Sequence, residues 1–324
     1  MGMLIKGKLV DNWLEQEIDE GEFKRMESGF RHWVSADGSP GPGSDKGFKA
    51  EADRYHLYIS KACPWAHRTV IFRRLKQLET VIGLSIVEAE MLDQGWTFAD
   101  QGEYVDHLYG YRFMHQVYTR ADPEFTGQIT VPVLWDKKTE TIVNNESSEI
   151  IRMLNSAFNE FTEVQTDYYP PQLREEIDRI NQPIYDHINN GVYRCGFARS
   201  QRAYERAFSS LFNELDKLEA RLASHRYLLG EQICEADWRL FTTLIRFDAV
   251  YVGHFKCNLR RISDYENLSN YLKELYQMPG IAETVDMDYI KRHYYFSHTS
   301  INPTQIIPAG PELDFSSPHN RESV

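Results

Sequence analysis

The stretch SKACPWAHRTVIFRRL, residues 60 to 75, sets a single cysteine between an apolar run and a proline. Upstream, RYHLYIS (54 to 60) alternates polar and apolar residues as a strand does. Downstream, Ile71, Leu75 and Leu78 recur at helical spacing. The stretch therefore reads as strand, turn, helix, with Cys63 on the turn. A cysteine in that place meets unpaired backbone N–H groups and the positive end of the helix dipole, and both favour thiolate over thiol. Its pKa is expected to fall below the free value of about 8.5. Pro64 suits the first helical position, because its φ is already helical and its missing N–H would have no intrahelical partner. A dithiol oxidoreductase would carry its second cysteine at position 66, which is Ala66. A mixed disulfide on Cys63 then has to be resolved by an external thiol, which in a reducing compartment is glutathione. His67, on the same helix, can turn toward Cys63, toward solvent or toward a second domain. A lone cysteine is most often a small buried hydrophobe, but the turn context and Pro64 favour the reactive reading.

Working outward, SIVEAEML (85 to 92) gives a second strand, and residues 93 to 126, rich in Gly, Asp and Tyr, read as a long insertion of the kind that often carries function. ITVPVLWD and TIVNN flank the turn DKKTE as a hairpin, and ESSEIIRMLNSAF resumes a helical period. Residues 54 to 158 thus spell β-α-β, insertion, β-β-α. Beyond Tyr168-Tyr169-Pro170-Pro171 nearly every segment is helical. Tyr204, Phe208, Leu211, Leu215, Leu218 and Leu222 form a stripe along residues 201 to 224. WRLFTTLIRFDAVY (238 to 251) is apolar on most faces and must be buried, and YLKELYQMPGIAETV is a further helix stopped by Pro279-Gly280. The turn-forming GSPGPGSDK (38 to 46) separates off a leader containing Trp13, Phe23, Phe30 and Trp33, expected to pack as a surface extension. From Asn302 the chain is Pro-rich and polar, as a surface tail is. The expected division is an extension over 1–50, an α/β domain over 51–160, an all-helical domain over 168–300 and a tail over 301–324.

Composition bounds the function. At 324 residues, two domains are the default. A net charge of -12 opposes binding to nucleic acid or anionic lipid. Aromatic residues at 13% supply ring faces for apolar or aromatic ligands. The four cysteines, Cys63, Cys195, Cys234 and Cys257, lack paired spacing, and MGMLIKGKLV lacks the apolar stretch of a secretory signal, so a reducing, cytoplasmic setting is expected. Lys6 breaks the myristoylation pattern, and no apolar run reaches the roughly eighteen residues that span a bilayer.

The order strand, CPWA, helix, TVPVLWD, hairpin, NNESSEI resembles the thioredoxin-like domain of glutathione transferases, followed by their all-helical domain. CPWAHR, VPVLWD, IVNNESSEI, EADWRLFTTLIRFDAVYVGHFKCN and YYFSHTSINPTQIIPAGP are similar to the glutathionyl-hydroquinone reductases, the omega-like Xi class of that superfamily, over residues 5 to 310. The resemblance implies a cis Pro132 and a Val131 whose backbone N–H and C=O pair with the cysteinyl part of glutathione. It implies that Ser147 donates to the γ-glutamyl carboxylate at a helix N-terminus, that Glu146 accepts from the γ-glutamyl ammonium, and that Trp96 closes over the bound tripeptide. On local pattern alone, Glu146 and Ser147 read as an ordinary helix cap. Gln128 stands where the family commonly has an arginine, so a charged contact to a glutathione carboxylate becomes a neutral one. Tyr193, Tyr251 and Tyr294 carry hydroquinone handling by the same resemblance, with Tyr295 competing with Tyr294. Cys234 stands where the buried helix usually has a capping Ser or Thr three residues before Asp237, so the forward hydroxyl bond is expected to be missing. Cys195, Cys234 and Cys257 are expected to be structural.

The activity implied is glutathione-dependent removal of glutathione from glutathionylated aromatic quinols through a Cys63 mixed disulfide, with glutathione as co-substrate, no metal or nucleotide, and a homodimer as the assembly. The alternatives are an omega-like thiol transferase or dehydroascorbate reductase, and a non-catalytic binding protein of the same fold.

Overall fold

A computed structural model describes residues 2–10 and 18–324, so Trp13 of the leader lies outside the described residues. The chain divides into two compact units, Met1–Gln16 with Met26–Thr166, and Glu17–Arg25 with Asp167–Val324. No helix among the described residues is long and apolar enough to cross a membrane.

The first unit is built on four strands, β1 (Tyr55–Ile59), β2 (Gly83–Ile86), β3 (Val133–Asp136) and β4 (Thr141–Asn144), in the order β4-β3-β1-β2. β1 and β2 are parallel, whereas β3 runs antiparallel to both β1 and β4. A parallel pair needs a crossover, and helix α1 (Pro64–Leu75) supplies it. α1 buries Ala66, Thr69, Ile71 and Phe72, and it packs with α3 (Ser147–Ser156), whose Ile150, Ile151, Met153 and Leu154 are buried.

Every residue of β1 is buried, so its polar positions face protein where the alternation pointed to solvent. His56 there meets Ser85 Oγ at 2.8 Å, and burial pushes its imidazole down to about 3, which keeps it neutral. The Tyr58 hydroxyl donates to Asp106 at 3.0 Å. At the end of β3, Asp136 is fully buried and accepts from Arg54 Nε (2.8 Å) and Nη2 (2.7 Å) and from Thr139 Oγ1 (2.6 Å). Burial pushes this carboxyl up, but the bonds from Arg54 and Thr139 outweigh it and the net direction is downward.

Three expectations need correction in this unit. The leader is not a surface extension: Val34 and Phe48 are buried, and the turn-rich 38–46 stretch links two parallel strands, Trp33–Ser35 and Gly47–Lys49. Gly41 in that stretch lies so close to the Trp33 indole that a Cβ would fall 2.1 Å from it. Earlier still, Gly2–Ile5 pairs with Gly127–Ile129. Second, the 85–92 strand stops at Ile86, and Met91–Leu92 instead pairs with Gly95–Trp96. Third, the 93–126 insertion contains a helix, α2 (Met114–Ala121), whose buried Met114, Val117 and Tyr118 sit at i, i+3 and i+4. Eight residues are too short a window for that period to stand out from its Gly- and Tyr-rich surroundings.

The second unit is helical: α4 (Arg174–Pro183), α5 (Gly191–Gly196), α6 (Gln201–Leu222), α7 (Glu235–Arg246), α8 (Glu266–Gln277) and α9 (Met287–Ser297). All of α7 is buried, as its composition requires. Two π turns, Ile184–Asn189 and Phe247–Tyr251, precede α5 and follow α7. The tail is more than a surface strand. Arg321 is fully buried and donates to the carbonyls of Leu222 (2.8 Å), at the end of α6, and of Arg226 (3.0 Å), in the loop that follows.

Because its pKa is depressed in the folded state, Asp136 contributes stability above the unfolded value near 3.9, and that contribution is lost as pH falls through the folded value. Asp136→Asn should cost about 3 kcal/mol at neutral pH. In thermal melts, the gap between wild type and variant should narrow steadily below about pH 4.

Candidate active site

Cys63 is the N-cap residue of α1, with φ -71° and ψ 117°. The Ala66 N–H points at its sulfur from 3.5 Å, and the thiol lies 3.4 Å from the Val131 carbonyl. The sulfur thus sits between the first turn of a helix and the backbone of the cis Val131-Pro132 pair. Cys63 is half-buried, whereas Cys195, Cys234 and Cys257 are buried and all four are reduced. Burial pushes the Cys234 and Cys257 thiols up, away from reactivity. His67 is buried, so it does not face solvent, and its N–H closes the first helical bond onto the Cys63 carbonyl at 2.9 Å.

The Val131 loop is held by a residue the sequence reading missed. The Tyr118 hydroxyl donates to the Thr130 carbonyl (2.9 Å) and lies 3.1 Å from the Thr130 N–H and from Asn145 Nδ2. Asn145 Oδ1 in turn accepts from the Phe30 N–H at 3.0 Å. Tyr118 was invisible because α2 was. Glu146 is the N-cap of α3: Oε1 accepts from the Ser148 N–H (2.9 Å) and Oε2 from Ser28 Oγ (3.2 Å). Oε1 also accepts from Ser148 Oγ at 2.9 Å. Ser147 is buried, with Arg68 Nη1 at 3.4 Å from its hydroxyl.

In the second unit three phenols converge. The Tyr294 hydroxyl, on α9, lies 2.6 Å from that of Tyr193 on α5 and 3.1 Å from that of Tyr251 at the end of the π turn. Tyr295 turns away and donates to the Ala249 carbonyl at 3.3 Å, so Tyr294 is the member of the cluster. Burial pushes the Tyr251 and Tyr294 phenols well above 10, and the Tyr193 phenol pushes both the same way, while the buried Arg246 charge opposes them. Phe255 stacks on Tyr251 with centroids 5.5 Å apart and lies 5.4 Å from Tyr193, giving the cluster an apolar wall.

Residues 62–157 match the model of the glutathione S-transferase N-terminal domain and residues 201–274 that of the C-terminal domain. The chain is 55% identical to glutathionyl-hydroquinone reductase YqjG of Escherichia coli, over 99% of both chains. It is 51% identical to glutathionyl-hydroquinone reductase PcpF of Sphingobium chlorophenolicum, over 96% of both. The glutathione-bound structure of YqjG superposes with a TM-score of 0.91 at 54% identity, covering 99% of each chain. A Xi-class transferase from Natrialba magadii gives 0.91 at 45% identity, covering 100% of this chain and 97% of that one. This chain belongs to the Xi class of glutathione transferases, the glutathionyl-hydroquinone reductases.

Gln128 is 8% exposed on the strand that pairs with Gly2–Ile5, and its Nε2 has no hydrogen-bond partner among the described residues. Trp96 is buried on the short ribbon made with Met91–Leu92. The capping box of α7 keeps its backward bond, and sulfur stands where the hydroxyl is missing. Asp237 accepts the Cys234 N–H at 2.8 Å, and the Cys234 sulfur faces the Asp237 N–H. The larger, polarizable sulfur fills the position because the site is fully buried. Asp237 also accepts from the Leu228 N–H (2.9 Å) and the Tyr271 hydroxyl (2.8 Å).

Asp237→Ala strands these donors in the core, and urea unfolding should show a loss of about 3 kcal/mol or more. Cys234→Ser should stay within about 1 kcal/mol of wild type in the same assay.

Proposed function

We propose that this chain removes glutathione from glutathionyl-hydroquinones, with glutathione as co-substrate and Cys63 as the nucleophile. The observation that carries the reading is the Cys63 sulfur, half-open at the N-cap of α1 and in contact with the Val131 carbonyl. In the first step the Cys63 thiolate attacks the glutathionyl sulfur. The carbon–sulfur bond breaks, a sulfur–sulfur bond forms, and the ring carbon takes a proton, giving the free hydroquinone. In the second step the thiolate of a second glutathione attacks the Cys63 mixed disulfide, releasing oxidised glutathione and restoring the thiolate. Two glutathionyl sulfurs are oxidised to a disulfide and the ring carbon is reduced, so the electrons balance. Tyr193, Tyr251 and Tyr294 supply the proton and hold the phenolic oxygens, a role supported by the convergence of their hydroxyls.

Glutathione is held, on this reading, by the Val131 backbone beside Pro132, by Ser147 at the N-terminus of α3, by the Glu146 carboxylate, and by Trp96 as a flat wall. Gln128 offers its unpartnered Nε2 to a carboxylate as a neutral donor. The chemistry requires a reducing compartment, and the cytoplasm is the proposed location. The proposed assembly is a homodimer, which sedimentation at micromolar concentration would show directly.

Cys63→Ser should lower turnover of glutathionylated menadione by roughly 10³-fold or more. Mass spectrometry of wild type mixed with that substrate should show one glutathione adduct on the Cys63 peptide, and the serine variant none. Turnover that survives the substitution overturns the reading. Gln128→Arg, which adds the charge, should lower the KM for glutathione about fivefold with kcat little changed.

A further inference from the structure

The leader contributes to the second unit through a short hairpin, Ile18–Asp19 with Glu22–Phe23. It is tied down at several points. The Gly21 carbonyl accepts from the Arg199 N–H at 2.9 Å, and Glu22 pairs with Arg206. Gly21 has φ +83°, and a Cβ there would fall 2.8 Å from Ser200 Oγ, so the turn fits only with glycine. The hairpin ends by delivering two side chains to one tyrosine. Phe23, 2% exposed, stacks on Tyr193 with centroids 6.5 Å apart and packs on Phe197 at 5.3 Å. The Arg25 guanidinium lies 4.8 Å from the Tyr193 ring centroid, and its Nε donates to Asn190 Oδ1 at 3.2 Å. Asn190 is the residue from which α5, the helix bearing Tyr193, departs.

A guanidinium fixed over a phenol ring does two things. It limits the ring to one orientation, and it favours negative charge on that phenol, because the cation is attracted to the ring face and more strongly to a phenolate. Tyr193 passes both effects on, since its hydroxyl is 2.6 Å from that of Tyr294. Arg246, from α7, is a buried cation that also acts on these phenols, and the rings of His254, His293 and His298 surround Tyr294.

We propose that Arg25 is a positioning residue for the Tyr193–Tyr294–Tyr251 chain, orienting Tyr193 and stabilising the charge left on the chain when it gives a proton to the departing hydroquinone. The proposal rests on the reading that these phenols serve the quinol. It assigns a part in the reaction to the leader, which lies far in sequence from the thiol turn.

The test is a double-mutant cycle of Arg25→Met and Tyr193→Phe, with Arg25→Lys as the charge-retaining variant. The enzyme is assayed on glutathionylated menadione and, separately, on the mixed disulfide of glutathione with 2-mercaptoethanol, whose sulfur leaving group needs no proton on carbon. Arg25→Met should lower kcat on the quinol about fivefold or more, with KM within about twofold and mixed-disulfide reduction at the wild-type rate. Arg25→Lys should recover most of the loss. In the Tyr193→Phe background, Arg25→Met should have little further effect. If Tyr193→Phe is impaired but Arg25→Met is not, the proposal fails and the tyrosine reading stands. The proposal also fails if the two losses multiply, or if Arg25→Met slows both substrates equally. If Tyr193→Phe itself matches wild type, the tyrosine reading fails first and takes the proposal with it.

Discussion

The first unit is organised by one contact: a backbone N–H at the start of a helix aimed at the sulfur of the residue that caps it. Cys63 takes the place usually filled by Ser, Thr or Asp, whose oxygens cap better. The sulfur is a poor cap for the helix, and the Ala66 N–H stays 3.5 Å away. The surroundings compensate. β1 and β2 fix where α1 starts, and the Tyr118–Thr130–Asn145 network fixes the Val131 carbonyl on the other side of the sulfur. The geometry around the thiol is therefore imposed from three directions, as the placement of a reacting atom requires.

The second unit solves a different problem. α7 is buried all round, so its ends cannot be satisfied by water. Asp237 settles its N-terminus by accepting from three donors at once, and the π turn after Arg246 carries the chain onward. That turn ends at Tyr251, and the other π turn leads into α5 and Tyr193. Of the three converging phenols, Tyr251 thus lies in an irregular turn and Tyr193 in the helix that follows one, and in such turns a register change of one residue re-aims a side chain.

What could be read from sequence follows the range of each signal. The thiol turn, the Val-Pro hairpin and the Asn-Asn-Glu-Ser cap are local patterns of a few residues, and each falls where the pattern put it. α6, α7 and α8 were legible from apolar composition and spacing, which are also local, whereas α4, α5 and α9 were not placed individually. The meeting of Tyr193, Tyr251 and Tyr294 was not, because their separations of 101 and 43 residues carry no period, and only family likeness pointed to them. The leader was misread for a related reason. Phe23, Val34 and Phe48 lie in short segments with no sustained period; Phe23 meets Tyr193 and Phe197, and the Val34 N–H meets Met153, all far along the chain. Asp106 was likewise hidden: it binds the N–H groups of Leu108, Tyr109 and Tyr111 and so gives order to a segment whose composition reads as loop.

The leader hairpin has a consequence for how the protein is made. Residues 18–25 emerge from the ribosome early, yet the unit they complete begins only at Asp167, roughly 140 residues later. At about 5 to 20 residues per second, that interval is on the order of ten seconds. Throughout it Phe23 has no burial site, and the sheet of the first unit is completed before that site is made. Biogenesis must therefore proceed out of chain order, with an early segment waiting exposed for a late one.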